Sequence, residues 1–307
     1  MTTSSNCTPS SPTTFLFAYS NDLEPQVVLD VFKSFNKFSS TNFPYLGSIR
    51  FDSTVEDEIH FDLNFEDWNR TIYENLPDPK QSFEDAGTGS DVLKVIDKFL
   101  YNSRYPVCGS RILVLLKRYP NESDTNFLTG QLMQYHSYIS VITSITPSGG
   151  LSFSTMYKLT SQTNGFGVFS YDEDFGKTIS FVPTVYSSYL VYAFDVELSS
   201  TGKKYLQLPK MYLPYNNDYW LAMTIQDHGP LDSFQNMTLH WDGDALYKTK
   251  EQVLKLFGNS NHVNSWAQFD GGDYSLELQI NYSDQKRELI QIRFYSPVPI
   301  DYWIPYN

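Results

Sequence analysis

The chain has 307 residues, of which 41% are hydrophobic and 19% charged, with a formal net charge of −13. That is enough apolar material to fill the cores of two units, so disordered and low-complexity classes are excluded. The acidity repels phosphate backbones and anionic lipid, which sets nucleic-acid and membrane-surface partners aside. No apolar run is long enough to insert across a bilayer. Residues 1–14 are polar and uncharged and read as a flexible tail or as the first residues after a processed leader. They lack the apolar stretch of a secretory signal.

Residues 15–19 (FLFAY) are apolar without alternation, as in a strand covered on both faces. Ser20, Asn21 and Asp22 then offer capping side chains, and Pro25 suits a first helical turn. Val27, Val28, Val31, Phe32 and Phe35 form one apolar helix face. Strands are expected over 45–51 and 59–63. The loop 85–90 (DAGTGS) leads into a helix carrying Val92, Leu93, Val95, Ile96, Phe99 and Leu100. Residues 111–116 (RILVLL) form a central buried strand. Helices over 128–135 and 151–160 alternate with strands over 139–143 and 165–170. This alternation predicts a doubly wound, mostly parallel sheet with helices on both faces.

The pattern changes after about residue 175. Strands are expected at 179–185, 189–198, 204–208, 220–226, 237–241, 274–282 and 289–295, with one helix near 250–257. Leu276, Leu278, Ile280 and Tyr282 alternate, and Asp284-Gln285-Lys286 reads as a hairpin tip into Ile290, Ile292 and Phe294. Short strands with polar turns predict an antiparallel β-sandwich. The division is a tail at 1–14, an α/β unit at 15–172 and a sandwich at 177–307.

The order of an apolar strand running into Ala18-Tyr19-Ser20-Asn21-Asp22, a Gly-Thr-Gly loop at Thr88 and a buried strand ending at Lys117-Arg118 resembles the von Willebrand factor type A fold over about residues 14–171. That family holds a divalent cation where three loops meet. The resemblance places Ala18, Ser20, Asp22 and Thr88 in its ligand positions, and Arg118 where an Asp belongs. Ser20 and Thr88 fit; Ala18 and Arg118 do not, so the reading is a degenerate site without metal. Arg118 either crosses the sheet top to pair with Asp22 or points into solvent. The whole arrangement resembles a family of secreted nematode proteins with lectin-like or CUB-like modules, which implies a role in host defence. In the type A strand order, Cys108 lies at the foot of the strand beside the first one. The tail can carry Cys7 about 26 Å, so the two cysteines can form a disulfide. The alternative is a mobile Cys7 and a buried free Cys108.

Chemistry-bearing motifs are sparse. Gly87-Thr88-Gly89-Ser90 lacks the Lys of a phosphate-binding loop and reads as a helix entry. His60, His136, His228, His240 and His262 show no metal-ligand spacing. Asp242-Gly243-Asp244 is a fragment of a calcium loop without its other ligands, best read as an acidic turn. No nucleophile motif occurs. Tyr212, Tyr215, Tyr219 and Trp220 surround Asn216 and Asn217, a mixture of rings and amides suited to sugar or protein recognition, or to packing the sandwich end. The C-terminal Tyr302, Trp303 and Tyr306 have the same two readings. Glycosylation acceptors stand at Asn6, Asn69, Asn121, Asn236 and Asn281 and favour an extracellular over a cytoplasmic home. The expectation is a secreted, non-enzymatic recognition or adhesion protein without cofactor that binds a protein or glycan. The rival is a carbohydrate-active hydrolase using sandwich carboxylates.

Overall fold

Long apolar strands without alternation have to be covered on both faces, and the computed structural model shows how. It describes residues 7–37, 43–183, 189–199 and 201–306. The first layer comprises β1 (Thr14–Ser20), α1 (Pro25–Lys33), β2 (Tyr45–Phe51), β3 (His60–Asp62), α2 (Phe65–Glu74), α3 (Val92–Leu100), β4 (Arg111–Leu116), α4 (Asn126–Gln134), β5 (Tyr138–Ser144), α5 (Thr155–Gln162) and β6 (Phe166–Ser170). The strand order is β3-β2-β1-β4-β5-β6. All neighbours are parallel except β3, which runs antiparallel to β2. Along β1, Phe15, Phe17 and Tyr19 enter one core with Val28, Phe32 and Trp68. Leu16 and Ala18 enter the other with Val95, Ile96 and Leu128. The period-two backbone thus feeds one apolar run to two helical layers.

Helix α2 was not expected from sequence. Its Asn64 cap accepts from the Asp67 N–H at 2.9 Å, and its buried face reduces to Trp68 and Ile72. After β6 comes a short helix, α6 (Phe175–Thr178), and a 3-10 turn at Ile179–Phe181. The strand expected over 179–185 is therefore corrected for its described part, since Ile179 and Val182 turn into the α1 core. Residues 184–185 lie outside the described residues.

The sandwich follows as β7 (Tyr189–Ser199), β8 (Gly202–Gln207), β9 (Met211–Leu213), β10 (Asn217–Thr224), β11 (Phe234–Trp241), β12 (Asp244–Thr249), α7 (Lys250–Phe257), β13 (His262–Phe269), β14 (Gly272–Tyr274), β15 (Leu276–Tyr282) and β16 (Arg287–Ser296). Its sheets are β13-β10-β16-β7 and β12-β11-β15-β8, with β14 and β9 paired apart. The hairpin expected at 284–286 is corrected: β15 and β16 lie in opposite sheets, so the turn crosses the sandwich. Alternation located both strands, but their hydrogen-bonding partners are distant in sequence.

The middle of the β13-β10-β16-β7 sheet, along β10 and β16, is buried on both faces. Leu221, Met223, Ile290, Ile292 and Phe294 fill the sandwich core, while Trp220, Ala222 and Tyr295 pack with the α/β layer. Polar side chains on this second face complete the exposed edge of β6. The Gly167 N–H donates to Gln291 Oε1 at 2.8 Å and the Phe169 N–H to Asn261 Oδ1 at 2.8 Å. Arg293 Nε donates to the Gly165 carbonyl at 2.9 Å. The edge donors of β6 are satisfied by amides rather than by another strand.

Candidate functional site

A doubly wound sheet holds ligands where its strand order reverses, beyond the carboxyl ends of the strands, here between β1 and β4. Arg118 occupies that crevice. Its Nε donates to Asp22 Oδ2 at 2.8 Å, and both side chains are 4% exposed or less. Its terminal nitrogens donate to the carbonyls of Asp85 (2.9 Å), Thr88 (2.9 Å) and Phe83 (3.0 Å). The guanidinium therefore ties the three loops together. Gly149 leaves room for it, since a side chain there would collide with the guanidinium. Of the two orientations open at the sequence level, the structure has Arg118 crossing to Asp22.

The other positions of the degenerate site are dispersed. Ala18 is inside β1 and contributes to the α3 core. The Thr88 hydroxyl faces Asp85 Oδ2 at 3.5 Å. Ser20 Oγ donates to Asp52 Oδ2 at 2.5 Å, and the Asp91 N–H donates to Asp52 Oδ1 at 3.2 Å. Asp52, absent from the sequence-level candidates, is fully buried. Burial raises its pKa to about 8, against the pull of the Ser20 and Ser90 hydroxyls.

In the sandwich, the aromatic loop divides. Tyr212 and Tyr215 are exposed. Asn216 Oδ1 accepts from the Gly271 N–H at 2.6 Å, and Asn217 Oδ1 from the Asp218 N–H at 2.8 Å. Of the two readings of Tyr219 and Trp220, recognition or packing, the structure has both side chains packed. Tyr219 is buried in the sandwich core, with its hydroxyl on the Tyr215 carbonyl at 2.8 Å. Trp220 is buried toward the α/β layer because alternation along β10 turns it to that covered face. Trp303 is likewise engaged: it stacks on His136 at 4.5 Å and donates to the Cys7 carbonyl at 3.1 Å.

Beside this loop lies an open cleft of about 730 Å³. It runs between the edge strands β12 and β13, where the two sheets part. Trp241 and Tyr274 supply rings and Asp242, Asp244 and Asp270 polar groups, while Trp266 and Gln268 border the cleft from the face of β13 that Trp266 shares with Trp220. Trp266 is 50% exposed, and its ring abuts that of Trp220 at 4.9 Å. Asp242 and Gly243 form the two-residue β11–β12 turn, both with positive φ. That geometry explains the Asp-Gly pair without a calcium ion. The sequence reading missed the cleft because its lining spans residues 241–274, drawn from four strands.

Cys7 and Cys108 form a disulfide. Asn69, Asn236 and Asn281 are partly exposed and Asn121 exposed; Asn236 and Asn281 face each other across β11 and β15. The Asn121 amide donates to the Gly87 carbonyl at 2.9 Å. Asn6 lies outside the described residues.

A family profile described as a domain of unknown function, DUF7154, matches residues 196–297. No curated protein matches the chain. Among solved structures, the chain is similar to proximal thread matrix protein 1 from the mussel byssus, at 12% identity and TM-score 0.42, covering 64% of this chain and 50% of that one. It is also similar to the SpRpn10 VWA domain, at 11% identity and TM-score 0.38, covering 56% of this chain and 95% of that one. A family 35 carbohydrate binding module from Clostridium thermocellum matches at 11% identity and TM-score 0.24, covering 36% of this chain and 96% of the module.

Proposed function

We propose that this protein is an extracellular, non-enzymatic recognition protein that binds a glycan in the cleft between β12 and β13. The observation that carries this reading is the half-exposed Trp266, with Gln268, at the border of a cleft that holds Asp242, Asp244 and Asp270. A ring covers the apolar face of a sugar, while carboxylates and an amide take its hydroxyls. A hydrolase in the same cleft would need a carboxyl held protonated near neutrality. The carboxyls that burial raises, Asp52 to about 8, Glu288 to about 7, and Asp62 and Asp195, lie outside it. The Cys7–Cys108 disulfide supports an oxidising compartment. At the sheet top, the Arg118 guanidinium lies between the loops, which supports a reading of that site without metal.

The test is a glycan array with the purified chain and a Trp266→Ala variant. Selective binding that falls at least tenfold in the variant, with thermal unfolding unchanged, supports the reading. Binding that survives Trp266→Ala removes the cleft from it. Binding to a protein partner but to no glycan would instead favour strand addition at the open edges of β12 and β13.

A further inference from the structure

Asp227, His228 and Glu288 bring one donor atom each within 4.8 Å of one another, beyond the end of β10 opposite the cleft. Asp227 and His228 follow β10, and Glu288 is near the start of β16. His228 Nδ1 lies 3.2 Å from Asp227 Oδ1 and 3.5 Å from Glu288 Oε2. Two donors on a tetrahedral zinc ion, each about 2.0–2.1 Å from the metal, stand roughly 3.4 Å apart. The separations observed without an ion already match that edge.

The surroundings orient the group. His228 Nε2 lies 2.8 Å from Asp232 Oδ1. Asp232 is itself held by the Ser233 N–H at 2.6 Å and by the Lys286 ammonium. When Nε2–H donates to Asp232, the Nδ1 lone pair faces the Asp227 and Glu288 carboxylates. A carboxylate behind a histidine, fixing which nitrogen is free, is the usual support of a metal-bound imidazole.

Glu288 provides an independent observation. Its side chain is 1% exposed. Oε1 accepts from Ser233 Oγ at 3.0 Å, whereas Oε2 makes no hydrogen bond of normal geometry and points at His228 Nδ1. A buried carboxylate oxygen left in that state is costly unless a cation joins it. Two carboxylates and an imidazole lone pair converging on one point call for a positive charge there, either a proton on Nδ1 or a metal ion.

We propose that Asp227, His228 and Glu288 bind a divalent transition-metal ion of the zinc type, with Asp232 as the positioning residue for His228. One imidazole with two carboxylates suits zinc or cobalt better than calcium, which requires six or more oxygens. Partial exposure of Asp227 and His228 gives the ion a route in from solvent.

The experiment uses the full chain without an affinity tag, after chelator treatment and dialysis. Zn²⁺ titration by calorimetry is paired with Co²⁺ absorption spectroscopy. The expected result is one saturable site per chain, with the visible bands of four- or five-coordinate cobalt. Asp227→Asn, on a partly exposed residue, should weaken Zn²⁺ binding at least tenfold with the unfolding curve of the apo protein unchanged. Asp232→Asn should weaken it by about 10–100-fold. Absence of saturable Zn²⁺ or Co²⁺ binding overturns the proposal and leaves a proton on His228 as the charge facing the two carboxylates. Binding that is indifferent to Asp227→Asn, or saturable Ca²⁺ binding without Zn²⁺ binding, overturns it equally.

Discussion

Replacing Arg118 with Ala tests whether the guanidinium holds the top of the α/β sheet together. The change removes the ion pair with Asp22 and the donors to the Asp85, Thr88 and Phe83 carbonyls. The carbonyls belong to a partly exposed loop, and water can take over some of those bonds. Asp22, at 4% side-chain exposure, cannot be rehydrated so simply. Stranding one member of a buried pair costs about 3–5 kcal/mol, which sets the expected loss. Arg118→Lys should recover the charge term but not the fan of hydrogen bonds, and so fall between Ala and the native residue. The double variant Arg118→Met with Asp22→Asn removes both charges and should return to within about 2 kcal/mol of the native protein. Urea unfolding followed by tryptophan fluorescence gives the differences from the shift in midpoint at constant slope. A loss below about 1 kcal/mol for Arg118→Ala would show that the pair is effectively solvated, as surface pairs are. A double variant no better than the single would refute the stranded-charge argument.

Two further outcomes follow from the same unit. Cys108→Ser opens a loop with a sequence separation of 101 and should lower stability by about 4–5 kcal/mol in the chain-entropy account, read from the urea midpoint. Equal midpoints for the native and variant proteins would contradict it. Asp52 has a folded pKa raised from 3.8 to about 8, so the folded state retains a proton that the unfolded chain has released. Its contribution to stability is complete below pH 3.8 and is lost as pH rises through about 8. Asp52→Asn should flatten the stability profile across that window; an unchanged slope between pH 4 and 8 would remove Asp52 as its source.

The two layers were legible where burial leaves no choice. The FLFAY and RILVLL runs can only be covered strands, and they became β1 and β4. Helix α2 was not legible, because its inward face amounts to Trp68 and Ile72 among polar neighbours. In β10 a Tyr-Trp pair suits a recognition face and a packed one alike, and only the cover on both sides of β10 decides for packing. Pairing between distant strands is invisible to local pattern, which is why the 284–286 turn was assigned to a hairpin. The same limit hid the His228 group, whose third member, Glu288, arrives from another strand. The strand order that the resemblance implies carried more than composition did: it placed Cys7 within reach of Cys108 and left Arg118 to pair with Asp22 or face solvent, and both pairings are present.

The amides that complete β6 make the joint between the two units a weld rather than a hinge. Gln291 and Asn261 meet the backbone at alternate residues, and Arg293 meets it just before them. These contacts lie along the strand, so sliding one unit past the other loads them together instead of one at a time. Gln291 Nε2 is also anchored to Thr160 and Ser161 of α5, at 2.9 and 2.8 Å, and cannot swing away with the sandwich. A force applied to the sandwich would therefore be shared among these side-chain bonds and not taken by any one of them.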